Sequence, residues 1–142
     1  MNFDIMTGKV RSALQQAQAL AARYDHQTIT DLHLLAALLE DTQGLAPSLI
    51  RNAGTDPQTV MTRTAEKISG LPKVTGSGAG QAQVERSVVK VMDLAERLAK
   101  KAGDSVITIE RVLQALAAAD GAASKVLQET GPSAQDLEQA IQ

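Results

Sequence analysis

The sequence predicts an all-α fold: eight helices arranged as two four-helix copies related by a pseudo-twofold axis. Three observations carry this. Apolar residues recur at helical spacing along nearly the whole chain. The chain of 142 residues has one Phe, one Tyr and no Trp, so Leu, Val, Ile, Met and Ala must build the core, as in close-packed helices. And residues 10–38 return 78 positions later with nine of 29 identical, Val10/Val88, Ala17/Ala95, Ile29/Ile107, Thr30/Thr108 and Leu35/Leu113 among them.

Val10, Leu14, Ala17, Ala21 and Tyr24 form the stripe of a first helix, with Thr7 as its cap. Thr30 opens a second helix whose face carries Leu32, Leu35, Leu38 and Leu39. Pro47 suits the first turn of a short third helix that Gly54 closes. Asp56-Pro57 starts a fourth, with Val60, Thr64 and Ile68, ending near Gly70. Val88, Val91, Ala95, Leu98 and Ala102 mark a fifth helix, ended by Gly103, and Thr108 caps a sixth. Val126 and Leu127 lie on a seventh before Gly131-Pro132, and Ser133 caps an eighth with Leu137 and Ile141. One residue is lost in the second copy after the matched block of residues 10–38, so the register resumes at 77: Gly54 meets Gly131 and Val60 meets Leu137. The first copy spans about 4–69 and the second about 83–142, joined by a connector over 70–82. Each copy is short for an independent core, so the two are expected to pack on each other, with a groove where they meet. No alternating run is long enough for a strand.

Composition narrows the function. The net charge of −2 is spread without a basic stripe or stacking aromatics, so neither nucleic acid nor a membrane is an expected partner. There is no cysteine for a disulfide or a thiolate site. No leader-like or membrane-length apolar run occurs, and a cytosolic location is the expectation. The connector's GSGAG fails the G-x-G-x-x-G pattern at Gln81 and follows a helix where a dinucleotide loop follows a strand. No G-x-x-x-x-G-K-[ST] is present. His26 and His33 have no third clustered ligand, and His33 reads as a packed or helix-terminal residue. The carboxylate pairs Asp93/Glu96 and Asp136/Glu138 lie on polar faces, with nothing to aim them at one substrate. A binding domain is expected, with no catalytic, cofactor or metal site.

Several residues have two readings. Leu94 lies just off the Val91–Ala95–Leu98 line, as edge core or as an exposed apolar residue. Asp104 follows a helix-ending Gly and is a turn residue or a substrate contact. Glu110, two residues past Thr108, complements the helix dipole or meets a positively charged or amide-rich ligand.

Two stretches, ITDLHLLAAL (Ile29–Leu38) and ITIERVLQAL (Ile107–Leu116), each follow an Ala/Leu-striped helix. The opening FDIMTGKVRSALQQAQALA and the helix ends SLIRNAG and KVLQETG complete a pattern that resembles the N-terminal Clp repeat domain of the Clp family of AAA+ unfoldases. Leu71-Pro72-Lys73-Val74-Thr75-Gly76 and Gly103-Asp104 before Ile107-Thr108-Ile109-Glu110 are similar to the disaggregase (ClpB) branch. The resemblance implies a monomeric domain that engages unfolded or aggregated polypeptide. The whole protein would be a homohexamer using ATP and Mg and working with the DnaK chaperone system. It also implies chaperone roles for Thr7, Asp104 and Glu110 and an apolar substrate groove at Leu94 and Leu98. The family's third apolar groove position is Arg111 here, a departure that either weakens the carry-over of the groove or alters which sequences it would prefer. Two other readings are an adaptor-docking domain of the ClpA or ClpC kind, and a small helical enzyme or metal protein.

Overall fold

The computed structural model describes residues 1–73 and 82–141. A short 3-10 turn, Phe3–Ile5, precedes α1 (Gly8–Arg23). Then come β1 (Thr28–Ile29), α2 (Asp31–Glu40), α3 (Leu45–Asn52) and α4 (Pro57–Ser69). After the connector follow β2 (Gln83–Val84), α5 (Arg86–Lys101), α6 (Ile109–Ala118), α7 (Ala122–Thr130) and α8 (Ala134–Ile141). The repeat is visible in the lengths: α1 and α5 have 16 residues each, α2 and α6 have 10 each. The last pair differs, with 13 residues in α4 and 8 in α8. Connector residues 74–81, which include GSGAG and the Val74-Thr75-Gly76 part of the branch motif, lie outside the described residues.

Most helix starts follow from the sequence. The Thr7 hydroxyl accepts from Val10 N–H, and Asp56 accepts from Gln58 N–H with Pro57 at the first helical position. Ser133 and Asp136 cap α8 reciprocally. Thr108 departs from expectation. It holds the cap position of α6, but its hydroxyl makes no bond to that helix's backbone and donates instead to the Glu110 carboxylate at 2.6 Å.

Helices α2 and α6 form the centre. In α2 every residue from Asp31 to Leu39 is buried, and in α6 the run Val112–Ala117 is buried. A helix apolar on all sides must be covered on all sides. α2 touches α1, α3, α4, α5, α6 and α7, and α6 touches α1, α2, α3, α5, α7 and α8. The matched Leu35 and Leu113 are both fully buried, each stabilising the fold by roughly 1.5–3 kcal/mol.

Two very short strands, absent from the sequence reading, tie the copies together. β1 pairs parallel with β2, Thr28 opposite Gln83 and Ile29 opposite Val84. The related place has a single parallel bridge, Met6 to Ile107. The bonds exchange under the repeat: Glu85 N–H donates to the Ile29 carbonyl at 2.9 Å, and Thr7 N–H donates to the Ile107 carbonyl at 3.1 Å. Each copy therefore inserts the segment before its first helix beside the segment before the other copy's second helix. This reciprocal pairing is the structural form of the pseudo-twofold axis. At two residues per strand there is no alternation for a sequence pattern to show.

Another link between the copies, one without an equivalent, is made by a buried acid. The Asp31 carboxylate, 3% exposed, accepts from Ala123 N–H at 3.0 Å and so caps α7 from the other half of the molecule. Burial raises its pKa above the usual carboxylate value, a shift opposed by the hydrogen bond from Ala123. The counterpart of Asp31 is Ile109, and α3, the counterpart of α7, has Gly44 in the cap position and no side-chain cap.

Candidate functional site

A cavity of about 690 Å3 opens where the copies meet. Its walls come from one face of α1, the corner between α2 and α3, and the start of α6. Ala13, Ala37, Leu38 and Ala46 give a buried apolar floor. Leu45, 45% exposed, and half-buried Ile109 extend it toward solvent. Thr7, Thr108 and Glu110 line one side, and Glu40, Asp41 and Lys9 stand around the mouth. The local reasons are plain. Thr7 and Thr108 sit at helix caps whose segments the Met6–Ile107 bridge holds together. Glu110 is fixed by the Thr108 hydroxyl. Glu40 ends α2 and accepts a hydrogen bond from the Gln16 side-chain amide of α1, spanning the two helices.

The residues expected at a site thus fall into separate groups. Thr7 and Glu110 share the cavity. Leu94 and Leu98 are not among its lining residues; both are half-buried on α5 and packed against the core. Asp104 and Arg111 form a third group. The Arg111 Nε lies 3.6 Å from Asp104 Oδ2, beyond hydrogen-bond range, while Arg111 Nη1 donates to the Gln114 side chain at 3.0 Å. The long ion-pair distance leaves the buried Nε without a hydrogen-bond partner among the described residues. Arg111 thus links α6 to the turn after α5.

His33 is packed, as the sequence reading favours, and His26 is buried beside it. His26 Nδ1 and His33 Nε2 are 2.9 Å apart, and Thr30 N–H donates to His33 Nδ1 at 2.9 Å. Because His33 Nδ1 accepts, the neutral ring carries its proton on Nε2 and donates to His26. Thr30 and His33 thereby form a reciprocal cap at the start of α2. Burial pushes the His33 pKa down to about 4, with nearby His26 adding to the effect. His26 is lowered too, first by burial and then by the Lys73 charge, with Asp25 acting in the opposite sense. Among the described residues no three His, Cys, Asp or Glu side chains gather to hold a metal, and no helix is long and apolar enough to cross a membrane.

Ile109, Leu45, Lys9, Glu40 and Asp41 are among the cavity residues that sequence reasoning missed. A signal for two of them was present. Aligning the copies sets Glu40 and Asp41 against Ala118 and Ala119. A charge on one copy where the other keeps alanine marks chemistry that the shared packing does not require.

Residues 5–130 match the family model for the Clp repeat (R) N-terminal domain. Relatives include the chaperone protein ClpB of Rhodopseudomonas palustris, 42% identical over 142 residues, covering 99% of this chain and 16% of the relative. The chaperone protein ClpB of Agrobacterium fabrum is 43% identical, with the same coverage of each chain. Among solved structures, the Hsp104 N-terminal domain from Candida albicans superposes with a TM-score of 0.82 at 19% identity, covering 96% of this chain and 89% of that one. The chain belongs to the Clp repeat N-terminal domain family and is ClpB-like; it spans about one sixth of the length of the ClpB relatives it matches.

Proposed function

We propose that this chain is the substrate-engaging N-terminal domain of a ClpB-type disaggregase. It binds unfolded or aggregated polypeptide weakly and helps deliver it to an ATPase ring formed by the rest of a longer, hexameric protein. ATP and Mg would act there, and the DnaK chaperone system would meet the whole cytosolic machine. The domain's own work is binding and not chemistry. The observation that carries this reading is the open apolar cavity at the junction of the copies, with Thr7 and Glu110 on its wall. A shallow apolar surface with few fixed polar groups holds extended segments without strict sequence.

Titrating the isotopically labelled chain with a permanently unfolded client, followed by NMR, tests the reading. Shifts are expected around Thr7, Ile109 and Glu110, and at Leu94, Leu98 and Asp104 if the α5 face takes part. An unchanged spectrum at millimolar client overturns it. So does a pull-down that returns one folded adaptor and no unfolded chains.

A further inference from the structure

The cavity's charge points to a particular kind of segment, given that the domain binds polypeptide as proposed above. Around the apolar floor stand three carboxylates, Glu40, Asp41 and Glu110, against one ammonium, Lys9. Among the described residues none of the three is in an ion pair. Glu40 and Glu110 are held by neutral donors, the Gln16 amide and the Thr108 hydroxyl, which orient them without cancelling their charge. Asp41 is partly committed, accepting from Gln43 N–H beside the start of α3. Two fixed carboxylates outside any ion pair, at the end of α2 and the start of α6, border an apolar floor and form a complementary frame for an apolar side chain with cations nearby.

The matching place in the second copy lacks this frame. Glu40, Asp41 and Glu110 correspond there to Ala118, Ala119 and Leu32. Of the two acids there, Asp31 is buried and spent on the N-terminus of α7, and Glu85, the counterpart of Thr7, accepts from the Ser87 hydroxyl. The pseudo-twofold axis therefore relates two backbones but not two equivalent sites.

We propose that the cavity takes a segment of unfolded polypeptide in which apolar residues are flanked by Lys or Arg, one segment per chain. Three fluorescein-labelled peptides of equal length and the same Leu-rich centre, flanked by Lys/Arg, by Ser or by Asp/Glu, test this by anisotropy titration at low and moderate salt. The cationic peptide is expected to bind with single-site stoichiometry and about fivefold tighter than the acidic one, a gap that narrows with salt. Glu40→Gln/Glu110→Gln should bring the two within about twofold at an unchanged thermal midpoint. Asp93→Asn/Glu138→Gln, which removes two charges elsewhere, should leave the gap intact. The proposal is overturned if the peptides bind alike, if the two double variants act alike, or if two equivalent sites appear. Running the unfolded client beside the peptides separates the two claims. A client that binds while the peptides show no charge preference removes only this inference. If neither client nor peptide binds, the polypeptide-binding reading falls with it.

Discussion

The corner joining α1 to α2 and the corner joining α5 to α6 follow one backbone path with different side chains. In the first, His26 N–H donates to the Ala21 carbonyl at 2.8 Å; in the second, Asp104 N–H donates to the Ala99 carbonyl, also at 2.8 Å. These are matched residues, 78 apart. So are the polar pairs the corners carry, His26 with His33 and Asp104 with Arg111. The first pair is buried, neutral and hydrogen-bonded. The second is charged, longer and partly open to solvent. The path is thus fixed by helix termination and by the pairing between copies, and the side chains at one spot are free to solve the polar problem in two ways. The two solutions differ in worth, since a buried hydrogen-bonded group is costly to break and a partly exposed ion pair is not.

The largest expected difference comes from truncating the matched partners. His33→Ala opens a cavity beside α2, removes the reciprocal cap at Thr30 and strands His26. It should cost about 3–4 kcal/mol. Arg111→Ala should cost about 1 kcal/mol or less. Urea denaturation of both variants checks this, and equal costs would break the comparison.

Next is acid sensitivity, which should belong to the first corner. His33 stays neutral in the fold down to about pH 4, whereas in the unfolded chain it protonates near 6.5. The unfolded chain takes up the proton first as pH falls. This contribution is complete above pH 6.5, is lost between 6.5 and about 4, and changes no further below. His26, also lowered, acts in the same direction, and Asp31, whose pKa is raised, acts against them near the bottom of the window. The expected net loss between pH 7.5 and 4.5 is about 2–3 kcal/mol. Urea midpoints across that range measure it, and His33→Gln should flatten the curve. A flat wild-type curve would mean that the buried pair is not held neutral.

The α7 cap gives a smaller contrast. Asp31→Ala should cost about 1–2 kcal/mol, and Asp31→Asn less, because its amide oxygen still accepts from Ala123. Hydrogen exchange at Ala123 localises the effect: faster exchange is expected there, with no change at the start of α3. Unchanged exchange at Ala123 would mean that the carboxylate does not hold α7.

What the sequence made legible follows from where the physics is local. Caps at Thr7, Asp56 and Ser133 and the apolar stripes depend on neighbours within a turn or two, so the spacing alone predicts them. The repeat exposes the axis because packing demands matched residues, as at Leu35 and Leu113. Asp31 was opaque for the opposite reason: its partner is 92 positions away, and an acid in the first turn of a helix needs no further explanation. The cavity was half legible. Resemblance supplied Thr7 and Glu110, but Leu45 and Ile109 read as ordinary apolar residues, and only the fold shows that nothing in the described chain covers them fully. Spacing put Leu94 and Leu98 on the fifth helix, but that neither lines that cavity was likewise invisible to periodicity.

The smallest expected effect is the most local. Asp25 and Gly103 are matched residues ending α1 and α5, and both have positive φ, 59° and 84°. Aspartate tolerates this left-handed conformation at a cost of roughly 1 kcal/mol, while glycine adopts it freely but loses more chain entropy on folding. The two terms oppose each other, so exchanging the residues should move stability by only about 0.5 kcal/mol each way. Asp25→Gly should stabilise and Gly103→Asp should destabilise. Space does not interfere at Gly103, where an added Cβ meets nothing within 4 Å. Asp25 has one further role, since its charge sits beside His26 and favours the protonated ring. Asp25→Gly should therefore also deepen the acid-linked loss of the first corner. A variant that gains at pH 7.5 and gives the gain back by pH 5 separates backbone strain from charge. A gain of equal size at both pH values would assign the whole effect to the backbone and remove Asp25 from the account of the histidine pair.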